Sequence, residues 1–426
     1  MDSSEKLSWK DIIAPLLKEF QERMASDLHI VRRDTILPRL SGKIDAIIGM
    51  RRTGKTYLLL QQIQNLISSG VPPESIFYLN FEDDRLPPVT KGSLTHIVDA
   101  FYELYPENHR RECHFFLDEV QNTEDWPRVL RRLLDTRKVR ITVTGSSAKL
   151  LSREIATSLR GRSLATEVWP FSFTESLKAR SRVAPSPPLS PRARDELRKD
   201  IETFLKTGGF PETTAVGEMD RRRIHQDYVS VVILKDIVER HKIKNEALLR
   251  YFIKMMITQI ARPLSLNKIY NYLKSQGRVI GKNTLYQYLD FISDCFLAFS
   301  VPLFSESLRK QQSNLRKVYS IDSGLSFSHT LSTSENIGRL FEDLIYVDLR
   351  RKGREVYYYL TRNGHEVDFV TRSLDGKFHA YQVCWDTHDP ATSERETRAL
   401  QEAGQELSVK TTLITPENYL EFISEA

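Results

Sequence analysis

The octet "GMRRTGKT", residues 49–56, directly follows the apolar run Ile44–Ile48 and leads into "KTYLLLQQIQNLISSG". No other feature of the 426-residue chain constrains its fold as much, because the order reads strand, tight loop, helix. A triphosphate needs many donors at short range and no side chains blocking the approach. Gly49 and Gly54 let the backbone curl so that successive N–H groups point inward. The helix opening near Lys55 adds its positive N-terminal end. Lys55 is placed for the β- and γ-phosphates and the Thr56 hydroxyl for Mg²⁺. The expected contact stretch is Gly49, Met50, Arg51, Arg52, Thr53, Gly54, Lys55, Thr56 and Tyr57. A glycine turn with an exposed lysine is the competing reading, and the strand-to-helix context weighs against it.

From 43 to 170, short apolar runs alternate with helical patterns: "KIDAIIGM", "SIFYLNFED", "CHFFLDEV", "VRITVTGSS" and "LATEVWPF". Such runs suit strands buried on both faces, and the intervening helices imply a parallel sheet. "FFLDEVQ" brings Asp118 and Glu119 to the carboxyl end of one strand, where open α/β sheets bind ligands. Asp118 suits the outer shell of Mg²⁺ beside Thr56, and Glu119 is placed to polarise an attacking water. "ITVTGSSAKL" puts Thr144, Ser146 and Ser147 at the end of another strand. A polar side chain there can hold the water or sense the γ-phosphate; for either serine a helix N-cap competes. "ATSLRGRSLATEVWP" sets Arg160 and Arg162 just before the next strand, either to stabilise charge on a transferred phosphoryl group, often across a subunit boundary, or as surface arginines.

These residues resemble the AAA+ ATPases. "IIGMRRTGKTYLL", "LNFEDDRL", "FFLDEVQNTEDWPRVLRRLLD", "TGSSAKLLSREIATSLRGR", "WPFSF" and "GGFPE" are similar to one large prokaryotic group among them. The resemblance implies an α/β chain with a five-stranded P-loop NTPase core, a helical lid, a winged helix and a C-terminal α/β domain like the restriction endonucleases. The expected boundaries are 1–180 for N-terminal helices and core, 181–192 for a proline-rich linker or loop, 193–260 for the lid, 261–325 for the winged helix and 330–426 for the last domain. The resemblance also implies ATP and Mg²⁺ as ligands, Ser146 as first sensor and Arg160 or Arg162 as an arginine finger. A finger acting in trans requires a homo-oligomer, a hexamer being one such assembly.

The later part resembles the same group at "KVYSIDSGL", "GRLFEDLIYVDLRR", "EVYYYLTRNGHEVDFV", "YQVCWD" and "ERETRAL". Nucleases of the restriction-endonuclease-like fold need a helix acid, an Asp and then Glu-x-Lys, so that carboxylates hold Mg²⁺ while a lysine orients the water. Glu342 lies on the helix and Asp368 ends the "EVD" run, but the Glu-x-Lys position reads Gln382-Val383-Cys384. Gln382 is a weaker ligand and Cys384 carries no positive charge, so a degenerate site is expected, unless Lys377 or Arg395 supplies the missing cation. Without its chemistry such a domain still offers a DNA-shaped surface or an assembly platform.

Lys and Arg number 62 against 56 Asp and Glu, a net charge of +6 that permits a polyanionic partner without requiring one. Two helical patterns followed by the strand-like runs around "SESLRKQQSNLRKVYS" give the order of a winged helix. Candidate DNA contacts are Lys282 and Asn283, opening the second helix, with Arg309, Lys310, Arg316 and Lys317 on the hairpin. The cysteines, Cys113, Cys295 and Cys384, fit neither a disulfide framework nor a zinc site. The opening "MDSSEKLSWKDII" is acidic where a signal peptide is basic then apolar, and no run approaches a membrane span, so a cytoplasmic protein is expected. Three functions fit: an ATPase that remodels or translocates DNA, a slow nucleotide-controlled switch in signalling or defence acting on a protein partner, and an ATP-dependent DNA endonuclease.

Overall fold

Five parallel strands, β1 (Ile44–Ile48), β2 (Ile76–Asn80), β3 (Cys113–Asp118), β4 (Val139–Gly145) and β5 (Ser163–Glu167), form one sheet in the order β2-β3-β4-β1-β5. The computed structural model describes residues 8–425 apart from 27, 147–160, 187, 279, 314, 331–336 and 388. It divides into two compact units, Met1–Val168 and Trp169–Ala426.

In the first unit β1 and β3 are buried along their whole length and β4 from Ile141 onward, while β5 lies at an edge and is only half-buried. The helix α1 (Trp9–Ala25) starts with a capping box between Ser8 and Asp11 and packs Phe20 on Tyr78 of β2, with ring centroids 4.4 Å apart. α2 (Lys55–Ser68) follows β1 through the glycine loop and buries Leu58, Leu59, Leu60 and Ile63. α3 (Ser93–Leu104) and α4 (Trp126–Thr136) are the other crossover helices described. Parallel pairing places the carboxyl ends of β1, β3 and β4 side by side, with Ile47 opposite Thr144 and Leu117 opposite Val143.

The second unit opens with the short helix Phe173–Ala179 and goes on to helices α5 (Pro191–Thr207), α6 (Glu218–Val231) and α7 (Glu246–Thr258). A small antiparallel sheet follows, in the order β6-β8-β7: β6 (Pro263–Leu264), β7 (Ala298–Val301) and β8 (Arg316–Ser320), with α8 (Leu266–Ser275) and α9 (Lys282–Asp294) between β6 and β7. After the two helices the chain pairs β7 with β8 antiparallel, as the hairpin reading expects, but the basic stretch joining the two strands is not extended. Leu308–Ser313 is a helix, because "LRKQQS" has no alternation and no β-branched residues, and Ser307 accepts bonds from its first turn. Then come α10 (Ile337–Arg351), β9 (Glu355–Leu360), β10 (Glu366–Arg372), β11 (Phe378–Val383), α11 (Pro390–Leu407) and β12 (Lys410–Ile414), followed by a short helix, Tyr419–Ser424. These strands pair in the order β12-β11-β10-β9, antiparallel except for β11 with β12. A register shift between Val367 and Val370 puts Asp368 in a bulge, a device that re-aims a side chain. Among the described residues no helix is long and apolar enough to cross a membrane.

Candidate nucleotide-binding site

The glycine loop is held by its surroundings before any ligand is considered. A Cβ on Gly49 would lie 2.3 Å from the Val168 carbonyl oxygen, so only glycine lets the chain pass there. Gly54 (φ 94°) and Arg52 (φ 69°) take left-handed conformations, which turn the loop sharply into α2. Thr53 donates to the Met50 carbonyl at 2.9 Å, and the buried Arg33 donates to the Thr53 carbonyl at 2.7 Å. Gln61 exchanges two bonds with the Arg33 backbone, at 2.7 and 3.1 Å. Arg33 and Gln61 were not apparent as loop braces, since they sit 20 positions before Thr53 and within the next helix.

Lys55 is buried, with Nζ 3.2 Å from the carbonyls of both Gly49 and Met50 and 3.6 Å from Glu119 Oε1. The Thr56 hydroxyl donates to Asp118 Oδ2 at 2.7 Å, and Tyr78 donates to the same oxygen at 3.3 Å. Thr144 donates to Asp118 Oδ1 and accepts the Glu119 amide N–H at 2.9 Å. Burial pushes the Asp118 carboxyl above its ordinary value, and Glu119 adds to this; bonds from Thr144 and Thr56 and the Lys55 charge oppose it. Glu119 has a left-handed backbone (φ 52°) and accepts a bond from Gln121. A non-glycine residue held this way at a strand end is a locally strained feature of the kind found at functional sites.

The expected residues are placed as follows. Gly49, Gly54, Lys55, Thr56, Asp118 and Glu119 come together at the carboxyl ends of β1 and β3, and buried Ser146 follows β4. Met50 is fully buried, Arg51 pairs with Glu82 at 3.1 Å, and Tyr57 is 49% exposed. Arg162 pairs with Asp135 at the surface of the same unit. Ser147 and Arg160 lie outside the described residues.

In the second unit, Lys282 and Asn283 are exposed at the start of α9, and Arg309 and Lys310 are exposed on the short helix after β7. Arg316 is half-buried and donates to Ser300 Oγ at 3.1 Å. Lys317 overturns the expectation of a DNA contact. It lies on the central strand of the small sheet, 1% exposed, with Nζ 2.8 Å from Glu342 Oε1, 2.8 Å from Glu366 Oε1 and 3.1 Å from Asp368 Oδ1. Gln382 accepts the Asp368 amide N–H at 3.1 Å, and Cys384 is buried along the same cleft. Lys377 instead pairs with Asp375 at 2.9 Å and Arg395 with Glu396 at 2.5 Å.

Residues 41–177 match the family model of an AAA domain. Residues 198–336 and 337–424 match two domains of unknown function, DUF8612 and DUF4143. The uncharacterized protein MJ1544 of Methanocaldococcus jannaschii is 33% identical over 409 residues, 95% of this chain and 87% of that one. An uncharacterized protein of Haemophilus influenzae is 28% identical over 349 residues, 81% of this chain and 84% of that one. Among solved structures, CDC6P from Pyrobaculum aerophilum is 13% identical with a TM-score of 0.27, covering 74% of this chain and 92% of that one. Caenorhabditis elegans PCH-2 is 13% identical with a TM-score of 0.28, covering 48% and 60%. At such distances the fold assignment rests on the sheet order and the AAA match.

Proposed function

The chain belongs to the same family as M. jannaschii MJ1544, and we propose that ATP hydrolysis at Lys55, Thr56, Asp118 and Glu119 drives the remodelling or translocation of duplex or branched DNA. The AAA domain makes it a nucleotide-binding ATPase. The observation that supports hydrolysis at these residues is the hydrogen-bond chain from Thr56 through Asp118 and Thr144 to the Glu119 amide. It ties a loop shaped for phosphate to an acid pair across two strands.

The residues fit a nucleotide with Mg²⁺. Gly49 and Gly54 let the loop take a path that a side chain at Gly49 would block, and Thr56 with Asp118 form the hard-oxygen set that would hold the ion. When bound, Mg²⁺ supplies positive charge against the phosphate oxygens. Lys55 adds a second charge from within the loop, and Glu119 offers a carboxylate oxygen to the proton of an attacking water. Ser146 is assigned to sensing the terminal phosphate. Arg162, with Arg160, is assigned to a neighbouring subunit's site, which requires a homo-oligomer such as a hexamer. The basic surface of Lys282, Asn283, Arg309 and Lys310 supports a winged-helix reading in which α9 enters a DNA groove.

The test is the ATPase rate with and without linear duplex and four-way-junction DNA. A several-fold stimulation and salt-dependent binding are expected. An unaltered rate with no salt-dependent binding to either DNA rejects the DNA-coupled reading.

A further inference from the structure

The carboxylates of the last domain already hold a cation, and it is covalently part of the chain. The geometry points to the Lys317 ammonium as the resident cation of Glu342, Glu366 and Asp368, standing where a nuclease of this architecture would bind a divalent metal ion, so that the protein neither takes up such an ion there nor cuts DNA through this cluster.

An ammonium carries three N–H donors, and three carboxylate oxygens surround Nζ at 2.8, 2.8 and 3.1 Å. The neighbouring groups are committed too. Glu342 Oε1 also accepts from the Tyr319 hydroxyl at 2.7 Å, and Asp368 Oδ2 accepts the Val383 amide N–H at 3.0 Å. Gln382 turns its carbonyl to the Asp368 amide and its NH₂ to Glu396, leaving no amide oxygen facing the cluster. The residues therefore do not fit Mg²⁺, which demands oxygens at about 2.0–2.1 Å in near-octahedral array.

Lys317 is placed for this by β8, which pairs with both β6 and β7, and the side chain is buried behind three acids, Glu342, Glu366 and Asp368, that line a cleft of about 690 Å³. A charged lysine so paired is hard to displace, since removing one partner from a buried ion group leaves uncompensated charge.

The test is Mn²⁺ uptake by the nucleotide-free full-length protein, read from the EPR signal of free Mn²⁺. Four proteins are compared: wild type, Asp368→Asn, Lys317→Met, and Lys317→Met with Asp368→Asn. Uptake at Thr56 and Asp118 is common to all four. Equal uptake by wild type and Asp368→Asn is expected, with one further equivalent in Lys317→Met that the added Asp368→Asn removes. An equivalent bound by wild type and lost in Asp368→Asn overturns the inference, as does Lys317→Met gaining none while folded. Should Lys317→Met fail to fold, the wild-type and Asp368→Asn pair still decides. Supercoiled DNA incubated with Mn²⁺ gives an independent readout: cutting by wild type that Asp368→Asn abolishes also overturns it. None of these outcomes depends on ATP hydrolysis.

Discussion

Thr144 joins two parts of the nucleotide site through one hydroxyl. It donates to Asp118 and accepts the Glu119 amide, so the magnesium-side acid and the backbone of the water-side acid share one anchor. Thr144→Val removes both bonds at nearly constant volume and leaves a buried N–H without its partner, which costs about 1–3 kcal/mol. Steady-state assays should show turnover lowered at least about tenfold with nucleotide affinity held within a few-fold; an unchanged kcat would rule out the anchoring role. Lys55→Ala and Glu119→Gln separate binding from chemistry. The first removes the charge beside the loop carbonyls and is expected to abolish nucleotide binding, while the second keeps shape and binding but stops hydrolysis. Equal loss of binding in both, measured with a fluorescent nucleotide, would show that Glu119 is a structural partner of Lys55, which lies 3.6 Å away. The loop, Asp118 and Glu119 were legible in sequence because their chemistry is packed into a few contiguous positions. The anchoring by Thr144 becomes visible only once β3 and β4 are known to be neighbours. Lys317 was misread because its partners Glu342 and Asp368 are 25 and 51 positions away, and a lysine in a basic run looks the same whether it faces solvent or carboxylates.

At the scale of elements, the five strands of the first unit were readable because each is a short apolar run ended by turn residues, and burial on both faces leaves little else for such runs to do. The segment after β7 was not, since polar residues between two strands carry no period that distinguishes a hairpin from a helical turn. The motif "TGGFPE" also has a cause that lies elsewhere in the chain. The Gly209 amide donates to Asp322 Oδ2 at 2.7 Å, while Asp322 Oδ1 caps the helix Ser323–His329 at Leu325. A Cβ on Gly208 would sit 2.0 Å from Asp322 Oδ1, which excludes any larger residue. Close by, Asp343 on α10 accepts both the Ser320 amide and hydroxyl at 2.7 Å, yet burial pushes its carboxyl up to about 8. Because that value lies above the unfolded one, the fold retains a proton that the unfolded chain has released, and stability falls as pH rises from 3.8 to about 8. Asp343→Asn keeps an acceptor for Ser320 and has no proton to lose. Urea denaturation should give it a flatter pH dependence than wild type, with a relative gain of ~1.4 kcal/mol per pH unit across the window. Parallel profiles for the two proteins would mean that Asp343 titrates as an ordinary carboxylate.

For the whole molecule, the net charge of +6 says little about DNA until the cations are sorted by position. Lys317 faces inward onto carboxylates and Arg316 is tied to Ser300, so neither adds to an outward basic surface as the sequence suggested. Of the expected contacts, Lys282 at the start of α9 and the pair Arg309 and Lys310 are the cations that stay exposed. Each phosphate neutralised by such a residue releases counterions, and the slope of log K against log salt is about −0.9 per contact on duplex DNA. Replacing Arg309 and Lys310 together by alanine is therefore expected to flatten that slope by about 2 and to weaken binding alike across sequences. If the two residues serve DNA alone, ATPase activity without DNA is expected to be unchanged while its stimulation by DNA falls. Fluorescence anisotropy between 50 and 200 mM salt, a range over which each contact is worth about 3.5-fold, resolves the difference. A slope equal to that of wild type would move the DNA surface away from this face of the second unit, and a loss of DNA-free ATPase activity would show that the two residues act on the nucleotide site instead.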